Sequence, residues 1–208
     1  RTLTCANVGS MGGIMAVRNS ECHLAGIHIL DDKTGEYNIS AVKKYLRPGS
    51  YQLMHLARRE QGLIVAPGNP RNLQSIADLC GNDVRFVNRQ RGAGTRMLLD
   101  YRLQSARLDY HSMVGYEKEV GTHMAVAASI AAGVADAGLG IRAAAVALGL
   151  DFIPIGYEQY DLLLNLDSEE ELNLLSDILR SSAFRQEVER LGGYDLTDAG
   201  KVITPGSE

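Results

Sequence analysis

The sequence predicts an α/β fold, and three observations carry that prediction. Apolar runs that end in Gly-rich or polar turns alternate with stretches of helical periodicity along the whole chain. A strand, glycine loop, helix plan in the first half is repeated in the second, with no low-complexity linker between them. Finally, 208 residues with 45% hydrophobic content can bury a real core, as one large domain or as two small lobes.

Taken in order, Leu3 to Val8 reads as a strand because an apolar run meets the turn Gly9–Ser10–Met11–Gly12–Gly13. A short helix follows over Ile14 to Glu21, then a second strand over Leu24 to Leu30. A Gly- and Asp-rich turn from Asp31 to Tyr37 leads into a helix from Ser40 to about Tyr45, which Pro48 and Gly49 stop. Gln61 to Pro70 is a strand with a double-proline turn at its end, and Leu73 to Leu79 a helix. Val84 to Asn88 is a strand, Arg89 to Gly94 a loop, and Thr95 to Ser105 a helix with Met97, Leu98, Tyr101 and Leu108 near one face. From Gly121 the chain continues as an Ala-rich helix, a stop at Gly133 and a buried strand over Ala135 to Ile141, where small residues permit close backbone approach. Phe152 to Ile155 and Tyr160 to Asn165 are further strands. Ser168 to Leu191 is amphipathic and helical, with Glu169 to Glu171 complementing the helix dipole in its first turn.

Charge and composition narrow the partners. A net charge of −4 and a pI near 5.8 argue against a surface that coats duplex DNA or a polybasic membrane patch, since both need an excess of Lys and Arg. The most apolar stretch, Met124 to Leu150, is broken by Gly133, Asp136, Gly138, Gly140 and Arg142, so it cannot span a bilayer. Cys5, Cys22 and Cys80 are odd in number and lack CxxC spacing; they read as buried thiols of a reducing compartment. The chain opens without a basic and apolar leader, so either a signal peptide has been removed or this is a piece of a longer protein.

Two glycine loops carry the candidate chemistry. In the first, Ser10 offers a hydroxyl, while Met11, Gly12 and Gly13 offer backbone N–H groups at a helix start, where unpaired donors and the positive dipole end favour an anion. The same residues equally make a plain capped turn. In the second, Arg85, Arg89, Arg91 and Arg96 fall within twelve residues without one acidic side chain. Gly92 and Gly94 free the backbone there, Thr95 stands where an N-cap hydroxyl meets a ligand oxygen, and Arg96 sits in a first helical turn that disfavours a cation unless an anion answers it. Arg85 and Arg89 read instead as a solvated face paired with carboxylates elsewhere. Gly121–Thr122–His123 opens the Ala-rich helix with another hydroxyl. The five histidines show no metal-site spacing, and GxSxG, HExxH, Walker A and GxGxxG motifs are absent. No catalytic constellation is visible; Asp136 reads as a structural carboxylate bound to backbone amides.

The segments GSMGGIMAV, HLAGIHILDDKTGEYN, YLRPGSYQLMHLARREQGLIVAPGNP, VRFVNRQRGAGTRMLLD, YEKEVGTHMAVAASIAAGVADAGLGIRAAA, LGLDFIPI and LGGYD together resemble the periplasmic-binding-protein-like domain attached to bacterial and archaeal molybdenum-related proteins. The resemblance covers almost the whole chain, and FVNRQRGAGTR is its most specific piece. It implies a two-lobed type II periplasmic-binding-protein fold, each lobe a mixed sheet flanked by helices. Lobe one would comprise residues 1–65 plus 157–208 and lobe two residues 66–156, with two strand crossovers as hinge. Family members begin with one more strand and loop, so a first strand is expected to be missing here.

The resemblance also places Ser10, Met11 and Gly12, then Arg91, Gly94, Thr95 and Arg96, at the cleft between lobes, with Thr122 and His123 as a third contact. It implies a non-catalytic, cytoplasmic sensor that holds a small oxyanion, molybdate or tungstate foremost, and regulates molybdenum uptake or cofactor biosynthesis. Such domains are fused to helix-turn-helix regulators or to the molybdopterin molybdenumtransferase; the domain itself touches neither nucleic acid nor membrane and needs no cofactor beyond its ligand. Two alternatives stay open. One is the solute receptor of a molybdate or tungstate ABC transporter, periplasmic or extracellular. The other is an accessory domain of a molybdopterin biosynthesis enzyme, where Arg91 and Arg96 suit a pterin phosphate.

Overall fold

Two long strands set the architecture. In a computed structural model, which describes residues 4–6, 8–81, 83–165 and 169–203, the elements are α1 (Gly9–Arg18), β1 (Leu24–Ile27), α2 (Ile39–Tyr45), β2 (Gln52–Val65), β3 (Phe86–Arg89), α3 (Gly94–Ser105), β4 (Glu119–Val120), α4 (His123–Ala131), β5 (Ala137–Ile141), α5 (Arg142–Ala147), β6 (Asp151–Leu164), α6 (Glu169–Arg180), α7 (Ser182–Leu191), β7 (Tyr194–Asp195) and β8 (Val202–Ile203). The chain forms two compact units, and β2 and β6 each contribute to both. Unit 1 comprises Arg1–Ala57, Gln159–Arg185 and Asp195–Glu208; unit 2 comprises Arg58–Glu158 and Gln186–Tyr194. The sequence put the changeovers at 65/66 and 156/157; in the structure they fall at 57/58 and 158/159, and the segment Gln186–Tyr194 joins unit 2.

In unit 1, β1 pairs antiparallel with the end of β6, from Leu24 opposite Leu164 to Ile27 opposite Asp161, and β8 pairs with the start of β2. α1 lies on β1 through Gly13, where a Cβ would come within 2.8 Å of the Ala25 Cβ. Ile14, Val17, Ile27, Val42, Leu53 and Leu163 close this core. A buried polar knot braces it: the Asp161 carboxylate accepts from Asn38 Nδ2 at 2.7 Å and Gln159 Nε2 at 2.9 Å, and lies 2.8 Å from His55 Nδ1. Asn38, at φ 68°, also returns its Oδ1 to the Ile29 amide at 2.7 Å.

In unit 2 the end of β2 pairs antiparallel with β5, β5 runs parallel to β3, and β3 runs parallel to β4. Ile64, Val87, Val126, Ala127, Ile130 and Ala144 pack into its core.

Several elements depart from the sequence expectation. Thr4 to Ala6 and Val8 have no regular structure, because no strand among the described residues pairs with them; Leu3 and Asn7 lie outside the described residues. α1 begins at Gly9 rather than Ile14, since Gly13 belongs to the face that packs on β1. β2 starts nine residues before Gln61, and the strands expected at Phe152–Ile155 and Tyr160–Asn165 are one strand. One cause explains both: the charged interruptions that broke the apolar pattern are paired, Arg59 with the buried Glu158 and Glu60 with Arg142. The helix expected over Leu73–Leu79 is a single 3-10 turn, Ile76–Leu79, because a capping box between Ser75 and Asp78 delays its start and Gly81 at φ 76° follows its end. α5 was not foreseen, and the tail splits into α6 and α7, with Ser168 outside the described residues. The cysteines are not buried: Cys5 is exposed in the unpaired segment, and Cys22 and Cys80 are half-buried.

Candidate anion site

The carboxyl edge of the unit 2 sheet gathers most of the candidate residues. There β3, β4 and β5 each end in a short connection that feeds α3, α4 and α5. The chain leaves β3 for β4 on one side and crosses back to β5 on the other, the change of direction beside which open α/β sheets hold ligands. Helix amino ends collect at such an edge, each with N–H groups that find no acceptor inside the helix.

At α3 those groups are left uncapped. Gly92, at φ 86°, shapes the turn in a conformation that side chains resist, and the N-cap is Ala93, which has nothing to accept with. The amides of Gly94, Thr95 and Arg96, which open the helix, therefore meet no acceptor among the described residues. Thr95 is 1% exposed, and its hydroxyl donates to Gln61 Oε1 at 3.4 Å. Gln61 is 0% exposed in β2, opposite Ile141 at the end of β5, and its Nε2 has no hydrogen-bond partner among the described residues. Sequence reasoning passed over Gln61; the signal was a lone amide side chain heading the apolar run Leu63–Ile64–Val65.

The arginines of this loop are answered within the chain. Arg96 is 4% exposed; its Nε lies 3.0 and 3.1 Å from the Asp100 oxygens, its Nη1 3.0 Å from Glu119, and its guanidinium 4.1 Å over the Tyr116 ring. Arg91 is exposed and meets Glu117 at 2.9 Å and Glu119 at 3.7 Å. The loop lacks acidic side chains of its own, and β4 and the residues before it supply them. Arg85 grips Asp136 with Nε at 3.1 Å and Nη2 at 2.8 Å, and the Arg85 amide adds a third bond at 2.9 Å. The Arg85 guanidinium therefore holds the Asp136 carboxyl well below the usual carboxylate range, against the opposing effect of burial, with Arg71 adding to it. Arg89 turns inward, donating to the Gly121 carbonyl at 3.0 Å; burial lowers its pKa, the Glu158 carboxylate opposes this and Arg59 adds to it.

At α4 the Thr122 hydroxyl accepts from the Ala125 amide at 3.0 Å, so it caps its own helix. His123 follows beside β5, where a Cβ on Gly140 would stand 3.7 Å from its Nδ1. The first-loop residues belong to unit 1. Val8 occupies the N-cap of α1 without a side-chain bond, Gly9 takes φ 70°, and the amides of Ser10 and Met11 open the helix. Gly12 lies in the same turn, where a Cβ would stand 3.0 Å from the Val8 Cβ. Ser10 Oγ accepts from the His28 amide at 3.2 Å, which leaves its own proton to donate elsewhere. Among the described residues no group of three or more His, Cys, Asp or Glu side chains could hold a metal ion, and no helix is long and apolar enough to cross a membrane.

A family model described as a PBP superfamily domain matches residues 1–180. The chain belongs to this superfamily. A relative in Bacillus subtilis (strain 168), the uncharacterized protein YvgK, is 36% identical over 195 residues; they make up 94% of this chain, which spans 63% of that protein. The fold is that of type II periplasmic binding proteins, as in a putative phosphate ABC transporter substrate-binding protein with bound phosphate from Clostridium perfringens (TM-score 0.62, 12% identity, 88% of this chain and 83% of that one). Full-length CbnR in complex with target DNA is similar as well (TM-score 0.56, 13% identity, 92% of this chain and 60% of that one). The chain is thus a ligand-binding PBP-like domain.

Proposed function

We propose that this PBP-like domain senses a small oxyanion, molybdate or tungstate foremost, on behalf of a larger cytoplasmic protein. The observation that carries the reading is the start of α3: an apolar N-cap, bare amides and a buried Thr95–Gln61 pair, with the nearby Arg91 and Arg96 already matched by carboxylates. Uncharged donors at a helix amino end favour an anion without an ion pair. The start of α1, with Val8 at its N-cap and Ser10 behind it, offers a second set of the same kind in unit 1. Because Thr122 caps its own helix, α4 has less to offer a ligand.

Two findings favour a sensor within a larger protein. The chain spans 63% of YvgK and 60% of CbnR, and CbnR is described with its target DNA. Three free cysteines suit a reducing compartment. A helix-turn-helix or molybdenumtransferase segment fused to this domain would turn ligand binding into transcriptional or biosynthetic control. The receptor reading has one observation on its side, the phosphate bound to the Clostridium perfringens substrate-binding protein. Isothermal titration of the chain with molybdate, tungstate, sulfate and phosphate tests the ligand that both readings share: tight, selective binding of molybdate or tungstate supports it, and preference for phosphate contradicts it.

A further inference from the structure

Gln61 is a polar side chain with no solvent exposure, and its amide is half used. Oε1 accepts from the Thr95 hydroxyl at 3.4 Å, while Nε2 finds no partner among the described residues. Burying an amide N–H2 without an acceptor is unfavourable, so evolved cores seldom keep one where an apolar side chain would pack. Gln61 lies beside the second residue of α3, whose first amides are equally unmatched among the described residues and whose N-cap is Ala93. The orphan donor of Gln61 and the unmatched amides of α3 are thus linked through Thr95.

We propose that Gln61 is a ligand-binding residue of this domain, that its Nε2 donates to an oxygen of the bound oxyanion, and that Thr95 is a positioning residue which fixes the amide by donating to Oε1. This rests on the oxyanion reading and gives it a specificity. With its proton committed to Gln61, the Thr95 hydroxyl is not the donor that the sequence suggests. Gln61 Nε2 and the amides of Gly94, Thr95 and Arg96 all donate. They match an oxygen that carries no hydrogen, as in molybdate, tungstate or sulfate, better than the protonated oxygen of hydrogen phosphate, which needs an acceptor.

The test compares wild type with Gln61→Met, Gln61→Glu, Thr95→Val and Thr95→Ser, by calorimetric titration with molybdate, sulfate and inorganic phosphate and by thermal midpoint without ligand. Gln61→Met should weaken molybdate or sulfate roughly 10- to 150-fold and keep the ligand-free midpoint near wild type or above it, because removal of an unmatched buried donor offsets the lost Thr95 bond. Gln61→Glu should abolish molybdate and sulfate binding and shift preference toward phosphate. Thr95→Val should weaken binding and Thr95→Ser restore it. Wild-type affinity in Gln61→Met overturns the proposal. If wild type binds none of the three anions, the oxyanion reading fails by itself. The ligand-free midpoint then decides on Gln61: a value several degrees below wild type in Gln61→Met makes the residue structural and overturns the proposal, and a maintained or raised value supports a donor held for another ligand.

Discussion

Arg96 Nη1 lies 3.0 Å from Glu119 Oε1, and the residue is 4% exposed at the first turn of α3. A cation at a helix amino end opposes the helix dipole, and here Glu119 and Asp100 offset it. Arg96→Met removes the cation and leaves both carboxylates unanswered. It should lower stability by about 1–3 kcal/mol in urea unfolding, a figure discounted because both carboxylates are partly exposed. Oxyanion affinity should change less than in Thr95→Val.

The Arg85–Asp136 pair makes stability depend on acid. Asp136 has a depressed pKa in the folded chain, so its contribution is complete above the ordinary carboxylate pKa of about 4 and fades as pH falls from there toward the folded value. Asp136→Asn should remove that part of the acid dependence and cost about 1 kcal/mol at neutral pH, measured by chemical unfolding from pH 7 to pH 3.

Asp161 anchors the buried knot of unit 1. Asp161→Ala removes the acceptor that Asn38 Nδ2 and Gln159 Nε2 share and the partner of His55 Nδ1, and should cost about 3 kcal/mol. A midpoint in urea unfolding close to wild type would show that water replaces the carboxylate.

Gly13 sets the distance between α1 and β1. Gly13→Val places a branched side chain where even a Cβ lies 2.8 Å from Ala25, and should destabilise by about 2–3 kcal/mol. Because α1 carries Ser10, oxyanion binding should weaken along with the thermal midpoint.

How far the sequence reveals this molecule depends on where partners come from. β1, α2, β3, α3, α4 and β5 were legible because periodicity and turn residues are local. The long runs of β2 and β6 were not, since Arg59 and Glu158, a hundred residues apart, hide each other's charge only after folding. The same reason misdirects the site: Arg91 and Arg96, which read as free for a ligand, are matched by Asp100, Glu117 and Glu119 from later in the chain. Thr95 was legible as a helix-start hydroxyl. Gln61 was not, because nothing local says that its Nε2 remains unmatched.

The most direct test is calorimetric titration of wild type, Ser10→Ala and Thr95→Val with molybdate and tungstate, preceded by a thermal-shift series. Ligand at about 100 times its Kd should stabilise the wild-type chain by roughly 2.7 kcal/mol. The account predicts saturable binding that each substitution weakens by roughly 1.5–3 kcal/mol. Equal affinity in all three proteins, or no heat and no shift with either anion, would contradict it.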